Sequence, residues 1–465
     1  MVTAERGAAP PVTGLTGRLG AFAARIQLPG APEAVRQRLE ALVADVIATG
    51  VSGLARPDVA KLHAAFAVGD GPSTVVGRRS GMPPASAAFL NAMPVAREQL
   101  QDGHRRARGH PASHVVPAVF AVAEAAGAGG PATLSAMLAG YETGVRIGLA
   151  MDGTPAGVHD IGTWATLGAA AGVAHLLTDG DPDAIAAAVE LAAALPSVPD
   201  AWGVFDGWTS QHLYLASAAQ AAVVHGQAAA AGARATPGTL ERHFAKWVAA
   251  DPAGFTDRLT SLLEPGTWMT LDGYLKRHPT CALLHGVNDA VEDLVGSGPF
   301  GPGDIGDVRV DTYRAAAAFA APEPRNELAA RFSIPWTVAA GLTLGTLRNG
   351  ALEPDTLADT ALRALASRVE VRHDPALDAG YPAGRPAVVT VELTDGTVLS
   401  TSVHGVPRGD GPDGLDDEVV TGKAAILLTA VVGEQRSRDV LAAVAGLGEQ
   451  GPEPLGAILR GLEVG

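Results

Sequence analysis

The sequence predicts a mostly α protein: a large all-helical domain plus a smaller α+β domain. Three observations carry that expectation. At 465 residues the chain exceeds what a single core usually organises. Apolar residues recur at helical spacing almost continuously to about Leu263. Between about Glu264 and Gly405 the pattern becomes β-branched and alternating, with helical stretches between. The predicted divisions are 1–263 (helical), 264–405 (α+β) and 406–465, a helical tail that rejoins the first domain.

Taken in order, residues 1 to about Pro32 are rich in Gly, Ala and Pro. They read as a poorly ordered arm, or one ordered by a partner subunit. Val35, Leu39, Leu42, Val43, Val46 and Ile47 then recur at helical spacing, and further helices are expected over Arg56–Val68, Ser86–Met93 and Val115–Ala126. The helix Pro131–Met151 carries Gly140, Gly144 and Gly148 four residues apart, which lets a neighbouring backbone approach closely. Thr163–Leu177 (with Gly168 and Gly172), Pro182–Leu195 and Ser210–Gly232 continue the series. Strands are expected at Ile305–Val310, Val369–His373 and Val388–Leu393. The last opens a hairpin whose Asp395-Gly396 turn tolerates positive φ. Helices at His285–Leu294, Ile334–Leu347 and Leu357–Leu365 flank them.

Charge and motifs narrow the function. With 34 basic against 49 acidic residues the net charge is -15, which excludes nucleic-acid binding through a general basic field. Cys281 is the single cysteine, so no intramolecular disulfide forms. No run approaches the roughly 20 apolar residues of a membrane span, and the first 30 residues lack the apolar core of a signal peptide. The expectation is a cytoplasmic protein without membrane or nucleic-acid partners. Gly127-Ala-Gly-Gly130 follows a helix, not a strand, so it lacks the context of a dinucleotide site. No phosphate loop, His-Glu-x-x-His or paired cysteine occurs, and neither cofactor nor metal is expected.

The polar residues gather in a few places. Gln99–His114 packs Asp102, His104, Arg105, Arg106, Arg108, His110 and His114 into a stretch broken by Gly103, Gly109 and Pro111, next to an apolar helix. This reads as a functional loop or as a solvated surface loop; its arginines oppose metal binding by the histidines. His159, in Gly157-Val-His-Asp-Ile-Gly162, stands at a helix start. There it can exchange a proton with a carboxylate, or it and Asp160 simply cap the helix. Lys276-Arg277-His278 lies at the seam between the domains, where ligand sites concentrate and a desolvated lysine suits proton transfer; an exposed basic turn is the alternative. Gln211 and Tyr214 share a helix face, Tyr214 as hydrogen-bond donor or core aromatic. Cys281 reads as packing.

These landmarks resemble the MmgE/PrpD family from about Leu39 to Asp417. Its markers are Ala88-Phe-Leu-Asn91, Gly109-His-Pro-Ala112, Val115-Val-Pro-Ala118, Ala139-Gly-Tyr-Glu-Thr-Gly144, Gly157-x-His159, Thr166-Leu-Gly-Ala-Ala170, Tyr274-Leu-Lys-Arg-His278 and Arg331-Phe-Ser-Ile-Pro335. The resemblance implies a helical domain with an α+β lid, a homodimer, and a cleft between the domains. It also implies a cofactor-independent lyase that removes a proton next to a carboxylate or carbonyl, as in dehydration of a hydroxylated carboxylic acid. Epimerisation or isomerisation, decarboxylation of a related acid, and a non-catalytic paralogue that binds a ligand or partner are the alternatives. By position His110, His159 and Lys276 match the family's active-site residues. The expected roles are Lys276 or His159 as base and His110 as acid. Arg105, Arg277 and Gln211 would hold carboxylate or carbonyl oxygens, with Tyr214 beside them and Asp102 orienting His104 or His110. Departures at Gln99, Gly103, Gln211 and near Ala318, where the family often has polar or charged residues, point to a different substrate.

Overall fold

The computed structural model describes residues 12–464 except 265, 299, 348–349, 411–414 and 416–417. The helical domain begins with α1 (Gly14–Ala24), α2 (Glu33–Leu54) and α3 (Pro57–Phe66). The hairpin β1 (Ser73–Val75) and β2 (Arg78–Met82), α4 (Pro84–Ala92), β3 (Gly103–His104) and α5 (Pro111–Ala126) follow. Next come α6 (Gly130–Met151), α7 (Trp164–Leu177), α8 (Pro182–Ala194), α9 (Ala201–Phe205), α10 (Ser210–Ala230), α11 (Lys246–Val248) and α12 (Phe255–Leu262).

α1 corrects the expectation of a disordered arm from Gly14 onward; residues 1–11 lie outside the described residues. Leu15, Leu19 and Phe22 fall at helical spacing and are buried, with α1 packed on α8. At the domain's centre, α7 is buried over Trp164–His175, as expected of a helix that is apolar all round. The glycine stripe explains its fit. A Cβ on Gly168 would lie 2.6 Å from the Gly140 carbonyl oxygen, and one on Gly148 would meet the Trp164 ring at 2.8 Å. The polar pair on α6 is also buried: Glu142 is ion-paired with Arg146. Its carboxylate accepts from the backbone of Met269 (3.1 Å) and Thr270 (2.8 Å). Arg146 donates to the carbonyls of Leu262 and Thr267. The segment leading into the seam is therefore fastened to the helical body.

That segment ends in β4 (Gly273–Tyr274), which pairs antiparallel with β3. The second domain follows with α13 (His285–Ser297), β5 (Ile305–Thr312), α14 (Arg314–Ala317), α15 (Glu327–Ala330) and α16 (Ile334–Leu344). It continues with α17 (Pro354–Leu357), α18 (Thr360–Ala366), β6 (Val369–His373), β7 (Ala387–Leu393) and β8 (Val398–Val403). The strands form one sheet in the order β6-β5-β7-β8. β5 and β6 are parallel and the other pairs antiparallel. Alternate side chains of β5 and β7, among them Val308, Val310, Val389 and Val391, are buried in a second core with α13 and α16. Met269 and Leu275 belong instead to the helical core. The tail, α19 (Glu418–Ala445, bent at Gly433), α20 (Leu447–Gln450) and α21 (Pro452–Arg460), returns to that core through Val420, Leu428, Val440 and Leu455. The protein is thus mostly helical with a smaller α+β domain. Among the described residues no helix is long and apolar enough to cross a membrane.

Candidate active site

The loop between α4 and α5 is held at both ends. Backbone bonds His104 N–Gly109 O and Arg108 N–His104 O (each 2.8 Å) close it into a tight turn, and β3 ties it to β4. Gln99 and Arg108 carry φ of 52° and 56°, a left-handed conformation that is uncommon for such residues and concentrates at functional sites. A Cβ on Gly103 would collide with the ring and hydroxyl of Tyr274. Tyr274 therefore occupies the space a larger residue at position 103 would need.

Asp102 anchors the loop to α5. Its carboxylate accepts from the Ala112 and Ser113 backbone N–H groups (both 2.9 Å) and from the Ser113 hydroxyl (2.6 Å). Burial pushes its pKa up to about 6 against those bonds. Its backbone carbonyl, not its carboxylate, orients His110: His110 Nδ1 lies 2.6 Å from Asp102 O. A carbonyl only accepts, so Nδ1 carries the proton and Nε2 presents a lone pair. Burial lowers the His110 pKa to about 4, Asp160 opposing and Lys276 reinforcing; the ring is neutral at pH 7.

His159 has the opposite tautomer. The backbone N–H of Ile161 donates to its Nδ1 at 3.1 Å, so the proton sits on Nε2. Burial again lowers its pKa. The turn that carries it is latched by His159 N–Pro199 O and Ala201 N–Gly157 O, both 2.9 Å. His114, within α5, uses both ring nitrogens structurally, donating to His110 O (2.7 Å) and accepting from Gly162 N (3.0 Å). It joins the two loops and leaves no group for chemistry. His104 accepts from Ala107 N at 3.1 Å and buttresses the turn.

His110 and His159 line one cavity of about 250 Å³ with Lys276 and Arg105. Lys276 is buried, its Nζ 3.4 Å from Gln99 Oε1, and burial lowers its pKa to about 8. Arg105 Nε and Nη1 are buried without a hydrogen-bond partner. Arg108 lies at the same wall, its guanidinium 5.4 Å from the Tyr381 ring. Arg385 approaches that ring from the second domain at 5.1 Å, and its Nε is buried and unpartnered. Among the described lining residues these four cations face a single carboxylate, Asp160. The balance favours an anionic ligand.

Several expected residues stand elsewhere. Arg277 pairs with Glu292 and lines a different cavity. Tyr274 and Lys276 thus line the candidate site while Arg277, next in the chain, lines the other cavity. Gln211 does not line the site; its Oε1 accepts from Gln99 Nε2 at 3.1 Å, so it acts on Lys276 only through Gln99. Tyr214 is half-buried where the two cores meet, away from the cavity lining. Arg106 reaches out to Asp272. Cys281 does line the cavity, its thiol pKa raised by burial. Arg385, Tyr274, Tyr381 and Asp160 are additions that sequence reasoning did not assign to the site. Among the described residues one triad could hold a metal, His278, Asp289 and Glu292. Arg277 and Arg408 already neutralise its carboxylates.

Fold and site together define a helical body with an α+β partner, enclosing a cationic pocket that holds two histidines of opposite tautomer. Comparison with known proteins agrees. The MmgE/PrpD N-terminal domain matches residues 17–253 and the C-terminal domain residues 278–447, and the chain belongs to the MmgE/PrpD family. It is 26% identical to a cis-aconitate decarboxylase of Aspergillus terreus over 94% of this chain and 93% of the relative. It is also 26% identical to a cis-aconitate decarboxylase-like protein, oryM, of Aspergillus oryzae over 88% and 89%.

Proposed function

We propose that the protein is a lyase that acts on a small carboxylic acid by acid–base chemistry of its side chains, with elimination of water as the leading reaction. The observation that carries this reading is the pairing of a lone-pair Nε2 on His110 with an Nε2–H on His159 in one cationic cavity. Arg105 and Arg385 hold a substrate carboxylate. His110 takes the proton from the carbon beside it, and the C–H electron pair moves toward the carboxylate, where the Lys276 ammonium stabilises the developing charge. His159 then delivers its Nε2 proton to the departing hydroxyl; the C–O bond breaks, the C=C bond forms and water leaves. These hydrogen bonds support His110 as base and His159 as acid, the reverse of the roles expected from the sequence.

Decarboxylation is the second reading, favoured by the names of the relatives. There the C–C bond to a carboxylate breaks, carbon dioxide leaves, and His159 protonates the carbanion. A panel of hydroxylated and unsaturated di- and tricarboxylic acids, followed by NMR in D₂O, separates the reactions. Olefin formation marks elimination, carbon dioxide release marks decarboxylation, and deuterium uptake alone marks epimerisation. If His110→Ala and His159→Ala both retain near wild-type turnover, the acid–base assignment is wrong.

A further inference from the structure

Asp160 is out of place in a pocket built only for anions. Its Oδ2 is buried without a hydrogen-bond partner and lies 3.9 Å from His110 Nε2, whose lone pair faces the same space. Its Oδ1 lies 3.4 Å from His159 Nδ1, a nitrogen already accepting from Ile161. The Gln101 amide approaches His110 Nε2 only at 3.5 Å, the outer limit of a hydrogen bond. Two acceptors therefore stand side by side, one carrying a full negative charge, with no strong donor between them. Leaving a buried acceptor unmatched costs about 1–3 kcal/mol.

A hydroxyl can donate a proton to the Asp160 oxygen but brings no charge to match it. A primary ammonium carries the charge that complements a carboxylate, and held on Asp160 Oδ2 it leaves the His110 Nε2 lone pair, 3.9 Å away, to the C–H beside it. Arg105, Arg385 and Lys276 complete the complement by gripping carboxylate. We infer that the substrate is an amino-bearing carboxylic acid, its ammonium held by Asp160 Oδ2 beside His110 Nε2. This inference rests on the reading of the cavity as a carboxylic-acid site.

Calorimetric titration with succinate, malate and aspartate at pH 7 tests it, because the three differ only in a hydrogen, hydroxyl or ammonium at one carbon. Wild-type protein is expected to bind aspartate at least about tenfold more tightly than the other two, as one charge-assisted hydrogen bond provides. The isosteric Asp160→Asn variant is expected to lose that preference while holding succinate within about threefold. Equal wild-type affinities, or a preference that survives in Asp160→Asn, overturn the inference and leave the carboxylic-acid reading standing. Failure of wild-type protein to bind any of the three overturns both. The wild-type comparison needs no variant to fold.

Discussion

Lys276→Met should make the protein more stable at neutral pH while disabling it. Lys276 is buried, and its pKa falls from the ordinary 10.5 to about 8. At 1.36 kcal/mol per pH unit this corresponds to about 3 kcal/mol against holding the ammonium in the folded state. The long contact to Gln99 Oε1 at 3.4 Å offsets about 1 kcal/mol when lost, and methionine refills most of the volume. The expected net gain is about 2 kcal/mol at pH 7. The pH dependence follows from linkage. Below about 8 both folded and unfolded chains keep the proton, and the full penalty applies. Between about 8 and 10.5 the folded chain sheds it first, so the penalty fades. Urea unfolding of both proteins at pH 7 and pH 10 reads this directly, beside a turnover assay in which the variant falls by about 100-fold or more. A variant less stable than wild type at pH 7, or a gain that does not shrink toward pH 10, would refute the reasoning.

Three further outcomes are expected. The profile of kcat/KM against pH should be bell-shaped. It rises through about 4 as His110 loses its proton to become the base, and falls through about 8 as Lys276 loses the charge that stabilises the intermediate. A flat profile between pH 5 and 9 contradicts those roles. Gly103→Thr, forced against Tyr274, should cost about 1–3 kcal/mol in thermal unfolding, and adding Tyr274→Ala should restore part of it. Arg385→Ala should raise KM about 10- to 100-fold, the value of a charged hydrogen bond, with a smaller change in kcat; an unchanged KM removes Arg385 from the binding role.

His110, His159 and Lys276 were legible because glycine, proline and charge interrupt an otherwise bland chain, and such breaks mark where backbone leaves a helix. Most helices, the strands near Ile305, Val369 and Val388 and the Asp395-Gly396 hairpin were legible from local pattern, whereas the order of the strands in one sheet was not. Arg385 was not, since it reaches the pocket only through the packing of the second domain against Arg105 and Tyr274, more than a hundred residues away. Adjacent Lys276 and Arg277 could not be told apart without the register that turns one inward. α1 was hidden by its glycines, although Leu15, Leu19 and Phe22 kept helical spacing. The β3–β4 pair, two residues on each side, is too short to leave a pattern. The tautomers of His110 and His159 depend on one carbonyl and one amide placed by loop geometry, which no spacing rule encodes.

That short pairing of β3 with β4 has a mechanical consequence. Together with Glu142 holding Met269 and Thr270, and Lys423 Nζ bonding to the carbonyls of Leu100 (2.8 Å) and Lys276 (3.0 Å), it moors Lys276 to the body that carries both histidines. Arg385 and Tyr381 are borne by the other domain. Were the two halves to part, His110, His159, Lys276 and Arg105 would travel as a single block while Arg385 and Tyr381 came away. The cationic lining would then be divided between the two halves, while the spacing of the two histidines and the lysine would be the same whether the halves met or not.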